Sequence, residues 1–314
     1  MPPIMGCAAT RDNSAMSLSA AASTVSLTGN PPLRRVLAID TSTERMSVAL
    51  ADLARWDGTP GEVTPHLWCF DGEGGAQASS TLIPTVLSLL RQAGWQLADL
   101  DAIALGIGPG AFTGLRTACA VVQGLAFSAR PGGIPVLPMG TLHAVAEEAR
   151  WQLVQEGMHA AAPGGPPGIV ALLDARMDEC YAARFALTPD GEMHPVGPPV
   201  LRAPEALADV FTQQPGSAPW EPGTVLAGNA MAVYGARLPL AWQQARHVPA
   251  GPTATAMLRL ATALWQAGGA VAAADAQPLY VRDKVAQTTE ERALAQAEKA
   301  EKAKNTVLTG TSRA

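Results

Sequence analysis

A chain of 314 residues with 48% hydrophobic and 16% charged side chains has room for one large or two small domains around real cores. Its net charge of −5 argues against a large basic nucleic-acid footprint of its own. Four scattered cysteines, Cys7, Cys69, Cys119 and Cys180, form no C-x-x-C pair, which fits a reducing compartment and neither a disulfide framework nor a zinc knuckle.

Residues 1–33 are small, polar and aperiodic and read as a disordered extension, or as a stretch upstream of the true translation start. They lack a basic start followed by an apolar core, so they do not read as a secretory signal. No apolar run approaches the ~20 residues that span a bilayer. The expectation is a cytoplasmic protein without membrane contact. The folded part begins near Arg34. Val36-Leu37-Ala38-Ile39 is a short buried strand ending at Asp40-Thr41-Ser42-Thr43-Glu44. Residues 46–52 alternate and read as its hairpin partner, and 66–70 as a third strand.

The first helix is predicted over 79–93. Its apolar residues Leu82, Ile83, Val86, Leu87, Leu89, Leu90 and Ala93 cover an arc of roughly 160° at ~100° per residue. One buried face needs less. After the apolar run Ile103-Ala104-Leu105 comes G-I-G-P-G-A-F-T-G-L-R, residues 106–116. Gly108 and Gly110 permit backbone angles that side chains forbid, Pro109 shapes the turn, and Thr113 is placed to cap the helix that follows. A glycine-rich turn feeding a helix N-terminus can hold an anion, or can simply let backbone pack on backbone. The second helix, 113–129, has Gly114, Ala118, Val121 and Leu125 on one face. Thr113, Thr117, Ala120 and Gly124 line an adjacent one, with Arg116 and Gln123 as a polar seam. Small residues at this spacing let another helix approach closely. Packing on the sheet and a subunit interface both account for two helices with excess apolar surface.

Residues 134–138 form a further strand and 141–156 a third helix. The Pro- and Gly-rich stretch 157–168 marks the lobe boundary. A buried strand at 169–174, the polar turn 175–179 and a strand at 180–185 follow. Residues 213–223 read as a loop, 224–227 as a strand ending at Gly228-Asn229, 253–266 as a helix and 278–281 as a last extended piece. From 289 to 304 the chain is rich in Ala, Glu and Lys, a solvated helix or a disordered tail.

Asp40 with Thr41 and Ser42 can face a phosphate or a hydrated metal, or Asp40 and Thr43 can cap their own turn. Gly228-Asn229 could close over a nucleotide base. In Asp174-Ala175-Arg176-Met177-Asp178-Glu179 an Asp–Arg pair braces the turn, or the charges meet a substrate or partner. The five histidines, His66, His143, His159, His194 and His247, are too far apart for a helical metal pair. No nucleophile elbow and no P-loop appears. No catalytic residue and no metal ligand is assigned.

Asp40-Thr41-Ser42-Thr43-Glu44, the stretch G-P-G-A-F-T-G-L-R at 108–116, D-A-R-M-D-E at 174–179 and L-Y-V-R-D-K-V-A at 279–286 occur in this order. Together they resemble the bacterial TsaB (YeaZ) family over roughly residues 35–286. The resemblance implies an α/β, actin/hexokinase/heat-shock-ATPase-like two-lobed fold with mixed sheets flanked by helices. It divides the chain into an extension (1–33), an N-terminal lobe with partner-binding helices (34–150), a C-terminal lobe (151–286) and a charged tail (287–314).

It also implies a non-catalytic dimerisation subunit that binds TsaD and, with the ATPase TsaE, supports threonylcarbamoyl transfer to the adenosine beside the tRNA anticodon. The metal-binding histidine pair of TsaD is missing here. No cofactor of its own is implied, and ATP is possible at the level of the complex. The implied interface lies on the two helices already singled out, at Leu82, Val86, Leu89, Leu90, Thr113, Arg116, Thr117, Ala120 and Gly124, and a homodimer through the same helices is permitted. Transfer RNA is met mainly through the complex. Two alternatives stay open. One is an ATP- or ADP-binding regulator using Asp40, Thr41, Ser42, Gly108, Gly110 and Gly228. The other is a glycoprotease- or kinase-like enzyme. Where many relatives carry a histidine before the first of these helices, this chain has Ala78.

Overall fold

A run such as Val36-Leu37-Ala38-Ile39, with no polar position, belongs inside a sheet covered on both faces. The computed structural model describes residues 31–56, 58, 66–159, 167–188, 191–207 and 223–282. Residues 1–30, the tail 287–314, and most of the stretches 157–168 and 213–223 lie outside the described residues. The apolar run forms β1 (Arg35–Asp40), with those four residues fully buried. It sits at the centre of a sheet with β2 (Arg45–Asp52), β3 (Leu67–Glu73), β4 (Ala102–Gly108) and β5 (Val136–Gly140), in the order β3-β2-β1-β4-β5. The first three strands are antiparallel; β4 and β5 run parallel to β1. Successive side chains of a strand point to opposite faces. Leu37 and Ile39 therefore join Leu82, Val86, Leu89 and Leu90 of α1 (Ala78–Ala93), and Ala118 and Val122 of α2 (Phe112–Ser128), in one core.

The helix α3 (Thr141–Gln155) leads to a second sheet built on the same plan. Here β6 (Gly168–Asp174), β7 (Cys180–Leu187) and β8 (Met193–Arg202) are antiparallel, and β9 (Val225–Gly228) and β10 (His247–Val248) follow in parallel, in the order β10-β9-β6-β7-β8. Alternation works again. Ile169, Ala171 and Leu173 pack with Leu142, Val145 and Ala149 of α3. Val170 and Leu172 pack with the short helices α4 (Ala230–Tyr234) and α5 (Leu240–Gln243) through Ala230, Tyr234 and Trp242.

The last helix, α6 (Ala254–Gln266), returns to the first sheet. Ala254, Met257, Leu258, Ala261 and Trp265 cover its other face at Val36, Ala38, Ala49 and Ala104. A helix that follows the expected boundary at residue 150 thus completes the core around the first sheet. Between α3 and α6 lies a charged network: Arg259 meets Glu147 at 2.9 Å and Glu148 at 2.7 Å, and Arg150 meets Glu147 at 2.7 Å. The extended piece at 278–281 also returns, with the Leu279 N–H donating to the Ile107 carbonyl at 2.8 Å.

One strand is added and one expectation is corrected. No element is expected from the sequence at β8, which carries Pro195, Pro198 and Pro199. The strand is at the sheet edge, where one row of N–H groups is not needed, so proline is tolerated. Thr113 does not cap α2 but lies inside its first turn. The chain enters through Ala111, whose N–H donates to the Ser42 carbonyl at 2.6 Å.

Candidate functional site

The ends of β1, β4, β6 and β9 meet in a cleft between the sheets. Asp40, at the end of β1, is 1% exposed. Its Oδ1 accepts from the Ser42 N–H at 2.9 Å and the Ser42 Oγ at 2.6 Å, while Oδ2 has no partner. Burial pushes this carboxyl up to about 6, against the pull of the two Ser42 donors. Thr41 is buried too and donates its hydroxyl to the Gly114 carbonyl at 2.7 Å. The polar cluster thus joins the end of β1 to itself and to α2.

The glycines have packing roles. A Cβ at Gly110 would come within 2.2 Å of the Ser42 carbonyl oxygen, and one at Gly114 within 2.1 Å of that of Thr41. Gly108 and Gly228 take φ values of +105° and +119°, which side chains disfavour. The Asn229 side chain, instead of standing free, accepts from the Asp174 N–H at 2.8 Å.

Opposite lies the turn after β6. Arg176, Met177 and Asp178 have φ of 62°, 56° and 61°, three consecutive left-handed residues without a glycine among them. Asp174 Oδ1 accepts from the Arg176 N–H at 2.8 Å, the bracing expected of this pair. The Arg176 guanidinium crosses the cleft to Glu44. Arg282 secures the turn from behind, donating to the Ala175 carbonyl and pairing with Glu179, each at 2.9 Å. Two cavities flank this bridge. One, of about 140 Å³, is lined by Ser42, Gly110, Asp174 and Asn229; the other, of about 230 Å³, by Phe112, Leu115, Met177 and Tyr280. Among the described residues no group of three or more His, Cys, Asp or Glu side chains is placed to hold a metal ion. No helix there is long and apolar enough to cross a membrane.

The outer face of α1 and α2 is the second feature. Leu82, Val86, Leu89 and Leu90, expected at an interface, are buried in the chain's own core. The sheet takes the middle of the apolar arc. Ile83 and Leu87, on its edge, are left 43% and 41% exposed. On α2, Thr113, Arg116, Ala120 and Gly124 are exposed and Thr117 is half-buried. Phe127, one turn beyond Gly124, is 81% exposed. Sequence reasoning passed over Phe127, although its spacing of seven from Ala120 puts it on the same stripe. Arg116 lies 3.7 Å over the Phe112 ring, and its Nε donates to the Tyr280 hydroxyl at 3.0 Å. The Phe112 and Tyr280 rings are 5.0 Å apart.

Across 253 residues the chain is 32% identical to the tRNA threonylcarbamoyladenosine biosynthesis protein TsaB of Escherichia coli, covering 80% of this chain and 96% of that one. The chain belongs to the TsaB family. The Haemophilus influenzae TsaB is 39% identical over 148 residues, 46% of this chain and 51% of that protein. YeaZ from Pseudomonas aeruginosa superposes with a TM-score of 0.61 at 33% identity, over 79% of this chain and all of the other. Residues 75–307 match the family model described as "TsaD: tRNA N6-adenosine threonylcarbamoyltransferase". The two mixed sheets flanked by helices are those of the actin-like two-lobed α/β fold.

Proposed function

We propose that this chain is a non-catalytic docking subunit in tRNA threonylcarbamoyladenosine biosynthesis. Membership of the TsaB family supports a role in that modification. The finer reading is that it binds a TsaD-family catalytic subunit through α1 and α2. A TsaE-family ATPase then acts on the assembled complex, ATP enters at that level, and tRNA is met mainly through it, in the cytoplasm. One observation carries the docking role. Ile83 and Leu87 on α1, and Ala120, Gly124 and Phe127 on α2, are exposed apolar and small side chains on two helices that touch each other. Such side chains leave apolar area in water unless another surface covers it. The non-catalytic reading is supported by the cleft, where Thr41, Ser42 and Asn229 are bonded to neighbouring protein groups.

The test is co-expression with the TsaD-family subunit of the same genome and measurement of mass in solution by light scattering. A one-to-one complex that replaces any homodimer is the expected result. A Cβ added at Gly124 meets nothing within 4 Å in the free chain, so Gly124→Leu leaves the monomer folded. With Ala120→Trp it fills the seam a partner helix needs, at a cost of ~1–3 kcal/mol or more. Binding of either variant with unaltered affinity would remove α2 from the interface.

A further inference from the structure

The docking face is cationic. Neither α1 nor α2 contains an aspartate or glutamate, and each carries an exposed arginine, Arg91 and Arg116. The whole chain has a net charge of −5, so this face is opposite in sign to the molecule that bears it. The two arginines differ in what holds them. Arg91 is in the last turn of α1, where a cation complements the helix dipole. Arg116 is near the start of α2, where the dipole opposes it. It is kept in place by the Phe112 ring beneath it and by the Tyr280 hydroxyl at its Nε. Arg176, Arg237, Arg259 and Arg282 each pair with a carboxylate. Among the described residues no carboxylate pairs with Arg116, which meets Phe112 and Tyr280.

We propose that Arg116 is the polar anchor of the docking face and takes the carboxylate of an acidic side chain on the partner, so that the face selects a different subunit over a second copy of this chain. This rests on the docking role of α1 and α2 proposed above. A guanidinium covered by an interface without an anion loses its hydration for nothing, and its planar fork is matched by a carboxylate. A second copy docked by the same two helices brings none. Stacking on Phe112 holds the long side chain before the partner arrives, which lowers the ordering cost of binding.

The experiment is titration of the full chain and its variants with the TsaD-family subunit at low and high salt, with self-association followed in parallel by sedimentation. Arg116→Gln is expected to weaken partner binding about 10-fold or more at low salt and to remove most of its salt dependence. Arg116→Glu weakens it further, and Arg116→Lys, which keeps the charge and loses the fork, restores only part. Tyr280→Phe keeps the ring and frees the Nε, and is expected to cost about 3-fold. Self-association of Arg116→Gln is expected to equal or exceed that of the wild type. If Arg116→Gln binds the partner with wild-type affinity and salt dependence while Ala120→Trp abolishes binding, the anchor is wrong and the docking face stands. If both bind as wild type, the docking role itself falls. Equal losses of self-association and partner binding would overturn the selectivity.

Discussion

Asp40 shows how far a single residue can be read from sequence. Its position after an apolar strand and before Thr41 and Ser42 offers two roles, and the contacts chosen by the fold satisfy the turn-capping one at Oδ1. Nothing in the residue order announces that Oδ2 is left without a partner in a fully buried place. That has a consequence for pH. The carboxyl titrates at about 6 in the fold against 3.8 in its ordinary surroundings, so the folded state holds the proton more tightly than the unfolded one. Stability is therefore fullest below about pH 4 as far as this group is concerned, and falls as pH rises through about 6. At neutral pH the buried charge costs ~3 kcal/mol at most. Asp40→Asn keeps the acceptor for Ser42 and removes the charge. Thermal melts should show the variant matching wild type near pH 4 and exceeding it near pH 7.5. A variant less stable at pH 7.5 would mean that the ionised carboxylate is held by an interaction worth more than its burial costs.

At the scale of elements, apolar periodicity located β1, β2, β4, β6 and the long helices to within a few residues, because each buries a continuous stripe that the spacing displays. It could not rank positions within a stripe. The arc on α1 was rightly too wide for one contact. Only the packing shows that Leu82 and Val86 go to the sheet while Ile83 and Leu87 stay outside. The charged network between α3 and α6 was illegible for another reason. Glu147, Arg150 and Arg259 look like ordinary solvated charges until the two helices are brought together. Glu147 and Arg259 side chains are almost fully buried there. Removing one partner from such a pair leaves a buried charge uncompensated. Glu147→Ala should lower unfolding free energy by about 3–5 kcal/mol in urea titration, with Glu147→Gln milder because it retains hydrogen-bonding capacity. If both variants unfold within about 1 kcal/mol of wild type, the network is neutral to stability.

At the scale of the molecule, the strand plan of the first half recurs in the second, although no repeat is legible in the residues. Three antiparallel strands followed by two parallel ones need only a similar alternation of apolar side chains, and very different sequences supply it. The duplication sets Asp40 and Asp174 at equivalent strand ends and brings Glu44 against Arg176 between them. The motifs at 40–44, 108–116 and 174–179 were visible as exceptions to periodicity. Their convergence in one cleft required the topology.

The return of α6 to the first sheet bears on how the chain is made. A ribosome delivers β1 to β5 and α3 first, and Val36, Ala38, Ala49 and Ala104 lack the cover of α6 until residues 254–266 have emerged. The nascent first lobe thus leaves apolar surface in water that α6 later covers. A fragment ending at residue 156 should show no cooperative melt by circular dichroism, and adding residues 251–282 on a flexible linker should restore one. Such a dependence makes the C-terminal third of the chain the checkpoint for folding, so a message truncated within it yields no usable half-protein to compete for the partner.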